Sequence, residues 1–347
     1  MKKIHLSKSR FMAGMQCPKR LYLTINPPEM PEEEGGGESL PILNGYAVGD
    51  MACKLYPGVM VEYDQGLSKA IEETARLVAD ESVTMIHEAT FNYDNVLVRV
   101  DLLERTETVW NLIEVKAATS VKAYYLEDAA VQAWVLQGCG LKLESIQLMH
   151  VNNQFVYQGD GDYEGLLVAE DISTLAFPLV EKVSDKKDKF VEMLQGEEPD
   201  IAMGDHCYSP FECDFCSYCN PIEGPEYPLT VLPRMHAPQR EALQADGYED
   251  VRDIPDGVLT NWNHQRVWRV TCNGSAEFDA TEIKALKELP WPRYYLDFET
   301  VGLAVPRWKG VRPYVQVPFQ WSCHIHREER QMQHVEFLDV SGDDPRR

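Results

Sequence analysis

The chain has 347 residues, with 33 Lys and Arg against 56 Asp and Glu and a formal charge of −23. Hydrophobic residues make up 44% and aromatics 10%, enough for a sizeable core and about two domains, which excludes disordered and fibrous classes. The charge excludes a surface that coats nucleic acid non-specifically, though not a local basic groove. No apolar run reaches the ~18 residues of a membrane span. The basic N-terminus MKKIHLSKSR lacks the apolar stretch of a signal peptide. A reducing, cytoplasmic setting is therefore expected for the nine cysteines, where clustered thiols bind metal more often than they form disulfides.

The first 21 residues hold Lys2, Lys3, Lys8, Arg10, Lys19 and Arg20 and no acid. Residues 27–39 (PPEMPEEEGGGES) have almost nothing to pack and read as a loop. From 40 to 82 the spacing is helical, through Leu43, Tyr46, Val48, Met51 and Leu55, then Ile71, Ala75, Leu77 and Val78. Three strands follow at 84–93, 95–104 and 108–117, joined by polar turns such as Tyr93-Asp94-Asn95. A helix over 124–137 closed by Gly138, a strand at 145–152 and a long amphipathic helix near 171–194 complete an α/β unit with a mixed sheet. Beyond it come a Cys- and Pro-rich segment at 200–228, a small helical piece at 232–290, and strands at 293–300 and near 314–326. The expected domains are 1–228, 229–290 and 291–347.

Side chains two apart on a strand share a face. Arg99 and Asp101 therefore lie together between Leu97 and Leu103, and Glu114 and Lys116 extend the apolar face of Trp110 and Leu112. Charges on otherwise buried strands are costly unless paired. Two readings satisfy them: a salt-bridge network across the strands, or a divalent cation. Two carboxylates hold Mg²⁺ or Mn²⁺, and a lysine beside them orients water or stabilises developing negative charge. The following helix puts Asp128 and Gln132 on one face at i, i+4.

Asp101, Glu114-Val115-Lys116 and Gln132 in a helix resemble the PD-(D/E)xK nuclease signature of the RecB-like branch. The resemblance covers about residues 7–220 and implies a restriction-endonuclease-like mixed sheet flanked by helices. By the resemblance Asp101 and Glu114 hold metal, Lys116 is catalytic and Gln132 supports the site. Many members add an upstream acid or His, for which the candidates are Glu88 and Asp50. The implied activity is Mg- or Mn-dependent hydrolysis of DNA, exonucleolytic, on single strands or ends, with a helicase or other nucleic-acid-processing partner. Lys2–Arg20 with Lys116 and Lys122 would receive phosphates locally. The rival is a non-catalytic nucleic-acid-binding or scaffolding module.

Cys207, Cys213, Cys216 and Cys219 fall within thirteen residues (CYSPFECDFCSYC), a set that suits Zn²⁺ or an iron–sulfur cluster. With Cys17-Pro18-Lys19-Arg20 the pattern resembles iron–sulfur nucleases of the same branch, including the CRISPR adaptation exonucleases, where one early and three late cysteines staple the domain ends through a [4Fe–4S] cluster. That resemblance implies Cys17, Cys207, Cys213 and Cys219 as ligands, with Cys216 the alternative. Spacing alone favours Cys213, Cys216 and Cys219. The aromatics Tyr208, Phe211, Phe215 and Tyr218 shield the cluster or stack on bases. Cys53, Cys139, Cys272 and Cys323 read as core residues.

Tyr295-Leu296-Asp297-Phe298-Glu299-Thr300 is an apolar strand with two acids on one face. It resembles the first motif of the DEDD exonucleases, which have a ribonuclease-H-like fold. The stretch through Pro306, Arg312-Pro313-Tyr314 and Pro318–Ser322 resembles a domain of unknown function that often follows RecB-like nuclease domains. The DEDD family needs two further aspartates downstream, so an incomplete segment, inactive in isolation, is expected. The alternative is an edge strand with solvated acids.

Overall fold

The computed structural model describes residues 4–29, 39–220, 224–328 and 331–346. Most of the loop expected at 27–39 lies outside them, as do Lys2 and Lys3. The N-terminal elements are β1 (Leu6–Ser7), α1 (Lys8–Gln16), α2 (Pro18–Ile25), α3 (Leu40–Leu55), β2 (Val59–Met60) and α4 (Leu67–Ala79). Then come β3 (Met85–Tyr93), β4 (Val96–Thr106), β5 (Val109–Lys116), α5 (Ala123–Gly138), β6 (Leu143–Val151) and β7 (Leu167–Asp171). The remaining elements are α6 (Ser173–Val180), α7 (Val183–Met193), α8 (Cys216–Cys219), α9 (Ala237–Ala245), α10 (Trp262–Asn273), α11 (Ala280–Glu288), β8 (Arg293–Val301), β9 (Val317–His326) and β10 (Met332–Leu338). No helix among the described residues is long and apolar enough to cross a membrane.

The main sheet is mixed and has seven strands in the order β2-β3-β4-β5-β6-β7, with β1 pairing parallel to β4. β3, β4 and β5 are joined by tight hairpins. At the first, Asp94 and Asn95 both take positive φ, 44° and 64°, the twist-matched two-residue turn for which Asn and Asp are suited. β5, α5 and β6 make a parallel crossover. Beneath α1, α4, α5, α6 and α7, one sheet face buries Ile86, Val98, Leu103, Leu112, Ile146 and Leu148 with Phe11 and Leu136. The other face packs Leu102, Ile113 and Met149 against Val48 and Ala52 of α3 and against Ala304.

Three expectations are corrected. The helix near 171–194 is two helices, after a strand at its start; Pro178 deprives the first of a backbone donor, and Lys182 N–H closes a turn on Leu179 O at 3.0 Å. In α3 the inward stripe is Asn44, Val48 and Ala52, while Leu43 and Tyr46 are exposed. Asn44 is inside because its amide is fully used: Nδ2 donates to Gly302 O at 3.1 Å and Oδ1 accepts from Ala304 N–H at 2.9 Å. Cys139 and Cys272 are exposed and Cys53 is half-buried, which leaves only Cys323 of the four expected core cysteines buried.

α5 can end against β3 because Gly138 has no side chain; a Cβ there would overlap the Tyr93 ring, which also packs edge-on against Trp134 at 5.0 Å. Gly138→Ala is expected to lower stability by about 1–3 kcal/mol. Urea unfolding checks this, and an unchanged midpoint would show that Tyr93 swings aside freely.

Within the described residues the chain divides into two compact units, 1–201 with 296–322 and 336–347, and 202–295 with 323–335. In the second, Leu229, Leu232, Leu243, Val251, Ile254 and Leu259 form a small core. β8, β9 and β10 form a three-stranded sheet in the order β10-β9-β8.

Candidate active site

β4 and β5 pair with Leu103 opposite Leu112 and Leu102 opposite Ile113, so the next step of that register sets Asp101 across from Glu114. Alternation then turns both acids, with Leu103 and Leu112, toward α1 and α5. Glu114 is only 1% exposed. Its Oε1 accepts from Lys8 Nζ at 2.8 Å and from Lys116 Nζ at 2.5 Å, and its Oε2 accepts from Gln132 Nε2 at 2.5 Å. Lys116 also donates to Asp128 Oδ2 at 2.6 Å. Lys8 Nζ lies 3.4 Å from Asp128 Oδ1, an ion pair without hydrogen-bond geometry, and that buried oxygen has no hydrogen-bond partner among the described residues. Two ammonium groups and two carboxylates thus alternate in a closed ring.

Asp101 stands outside this ring. Its Oδ2 accepts the Val115 N–H at 2.7 Å. Burial, and then repulsion from Glu114, push its carboxyl up to about 8 despite Lys8 and Lys116. Burial opposes the charge on Glu114 too, but Lys116 and Lys8 outweigh it and hold that carboxyl well below the usual carboxylate range. Burial likewise works against both lysines, and the surrounding carboxylates override it and keep them protonated. Near neutrality Glu114 is therefore charged, held by Lys8 and Lys116, and Asp101 carries a proton. The orphaned Oε1 of Gln132 is a further buried acceptor beside the acid pair. This donor set of hard oxygens fits Mg²⁺ or Mn²⁺.

Between its unfolded value of 3.8 and its folded value of about 8, Asp101 keeps a proton that the unfolded chain has released. Native stability must then fall as pH rises through that window. Thermal midpoints measured in EDTA are expected to show this decline, and Asp101→Asn to flatten it. Parallel profiles for the two proteins would mean that Asp101 ionises normally.

Glu88 interrupts the ladder between β3 and β4 without shifting its register: Ala89 pairs with Val100 and His87 with Leu102, leaving Glu88 and Asp101 opposite each other but unbridged, with Glu88 at φ +55°. A non-glycine residue in this region stores backbone strain, which tends to gather at functional sites. Glu88 Oε2 pairs with Arg99 at 3.0 Å. Burial, then the charges of Glu88, Asp101 and Asp50, push the Cys53 thiol up to about 11, so both candidate upstream acids act on the same neighbourhood as Asp101. Lys8 was not among the expected site residues, although it sits in the basic N-terminal run. Asp128 was legible as the i, i+4 neighbour of Gln132 and gains its partners only in the fold.

Asp297 and Glu299 are exposed on β8, an edge strand of the three-stranded sheet. Among the described residues no three His, Cys, Asp or Glu side chains form a ready-made metal group. Cys17, buried in the first unit, links α1 to α2 in an extended conformation before Pro18 starts the next helix. The other four cysteines belong to the second unit. There Cys213 N–H donates to Cys207 O at 2.8 Å, Cys216 Sγ lies 3.7 Å from the same oxygen, and Cys219 N–H donates to Phe215 O at 2.9 Å. Burial raises the Cys216 thiol, and Cys213 and Cys207 add to the rise, so these three thiols lie within electrostatic reach of one another.

Residues 294–347 match the model of a domain of unknown function, DUF2779. No curated protein matches the chain. Among solved structures it is similar to one described as the crystal structure of SSO0001, at 11% identity and a TM-score of 0.24, over 62% of this chain and 96% of that one.

Proposed function

We propose that the chain is a metal-dependent nuclease that hydrolyses DNA phosphodiester bonds from ends or single strands. The observation that carries the reading is the register that sets the buried carboxylates of Asp101 and Glu114 opposite each other, with Lys116 in hydrogen-bond contact with Glu114. Asp101 and Glu114 would hold Mg²⁺ or Mn²⁺, with Glu88 or Asp50 as the further acid. When bound, such an ion polarises a phosphoryl oxygen and lowers the pKa of water. Gln132 orients Glu114 by donating to Oε2. Lys116 presents a fixed ammonium to developing negative charge, and Asp128 aims that ammonium. Lys8 keeps Glu114 ionised from the opposite side.

The late cysteines suit a soft metal group, with Cys207, Cys213 and Cys216 coupled and Cys219 one helical turn beyond Cys216. Four of them would suit Zn²⁺, and by the resemblance they would serve, with Cys17 as the early ligand, a structural [4Fe–4S] cluster. A helicase or other strand-processing partner would supply substrate to such an enzyme. The second reading, a non-catalytic nucleic-acid-binding or scaffolding module, is favoured by one feature: Lys8, Glu114, Lys116 and Asp128 neutralise one another in a ring of ion pairs.

Anaerobically purified protein incubated with end-labelled single- and double-stranded DNA separates the two. Cleavage in Mn²⁺ that stops in EDTA is expected. Absence of cleavage from protein that retains its cluster spectrum would leave the scaffold.

A further inference from the structure

A cavity of about 550 Å³ opens beyond the C-terminal ends of β5 and β6. Its walls include Thr119, Lys122 and Tyr125, Gln154 after β6, and Arg312 and Tyr314 from the C-terminal segment. All of these belong to the first unit. Hydrogen bonds fix that segment at several points: the Asn44 side chain clamps Gly302 and Ala304, Tyr157 exchanges backbone bonds with Gly310 and Val311 at 2.7 and 3.1 Å, and within the segment Tyr314 N–H donates to Leu303 O at 2.8 Å. Arg312 and Tyr314 are therefore held beside the sheet end by structure outside the segment itself.

Tyr314 adopts φ +61°, a left-handed conformation, and its buried hydroxyl has no hydrogen-bond partner among the described residues. The ring packs against the core cluster of Leu102, Ile113 and Met149, yet neither that packing nor the Leu303 bond uses the phenol, and strain with an orphaned polar atom at a cavity wall is the pattern of a residue shaped for a ligand. Among the described residues neither Lys122 nor Arg312 forms an ion pair with an acid, in a chain whose charge is −23, and Lys122 lies over the rings of Tyr124 and Tyr125. Tyr125 joins this cavity to the acid pair: Lys116 Nζ lies 5.4 Å and Lys122 Nζ 6.0 Å from its ring centroid.

We propose that this cavity is a binding groove for a single polynucleotide strand, with Lys122 and Arg312 on phosphates and Tyr125 and Tyr314 toward bases. Unpaired cations suit a polyanion, and aromatic faces beside them suit bases free of a duplex stack. The strand's direction toward Lys116 rests on the nuclease reading; the groove does not. It also assigns part of the C-terminal segment to strand binding, whatever Asp297 and Glu299 do.

The test is fluorescence anisotropy of a labelled oligodeoxythymidylate in EDTA across a salt series. Arg312→Ala and Lys122→Ala are each expected to weaken binding about fivefold or more and to lower the salt slope by about one. Lys142→Ala, at the opposite end of β6, controls for general charge, and circular dichroism melts check folding. Tyr314→Phe removes only the orphaned hydroxyl and is expected to weaken binding while the melt stays unchanged. Losses no larger than that of Lys142→Ala, or tighter binding to a blunt duplex, would overturn the groove. Wild-type protein that binds through Arg312 but never cleaves in Mn²⁺ would sink the nuclease reading alone. Cleavage with a KM indifferent to Arg312 and Lys122 would sink the groove alone.

Discussion

Lys116→Ala is expected to lower Mn²⁺-dependent cleavage by about 10²–10⁴-fold, the range for losing a positioned proton-transfer or charge-stabilising group. Lys116 ends β5 with its ammonium between Glu114 and Asp128, at 2.5 and 2.6 Å, which fixes it on the same face as the acid pair. The fold should survive, because Lys8 still neutralises Glu114 at 2.8 Å and Gln132 still binds its other oxygen. Lys116→Arg should rescue poorly, since a planar fork does not fit a point contact shared by two carboxylates. Single-turnover cleavage with end-labelled DNA measures the loss, beside a melt that confirms folding. Cleavage that persists in Lys116→Ala would mean the chemistry resides elsewhere, and the Asp297–Glu299 strand would be the next place to look.

Glu114→Ala is expected to cost about 3–5 kcal/mol of stability in EDTA, the penalty for breaking a buried charge pair from one side. Glu114 is 1% exposed and receives both ammonium groups on one oxygen. Removing it leaves Lys8 and Lys116 facing each other across the gap, with Asp128 in ion-pair contact with both and Asp101 beside them. Adding Lys8→Met to Glu114→Leu should recover much of the loss, because an apolar pair of similar volume replaces a stranded charge. Urea unfolding reports both effects. A loss below about 1 kcal/mol, typical of an exposed pair, would mean that water already screens the ring.

Much of the first unit was legible because its signals are local. Short, largely apolar runs bounded by polar turns revealed β3, β4 and β5, and they also revealed Asp101, Glu114 and Lys116, which break an apolar run with charge. The i, i+4 spacing set Gln132 and Asp128 together on α5. The Tyr93-Asp94-Asn95 hairpin was readable because only a few residue types adopt two positive φ angles in succession. The two-residue strands β1 and β2 escaped notice because their pairing depends on partners far along the chain. The exposure of Leu43 and Tyr46 escaped it because apolar character says which residues favour burial, not which find a partner.

The sequence by itself determined the apolar strands, the order of acids and lysine on them and the clustering of cysteines, since each depends on neighbours a few residues away. Tertiary structure alone decided that Lys8 completes the ring, 106 positions from Glu114. It also decided that Asn44 fastens Gly302, 258 positions away, and that Arg312 and Tyr314 stand beside the end of β5. The physical reason is common to all of these. A lone lysine, asparagine or tyrosine carries no local periodicity, and its role appears only when distant backbone closes around it and removes the water that would otherwise satisfy its polar atoms.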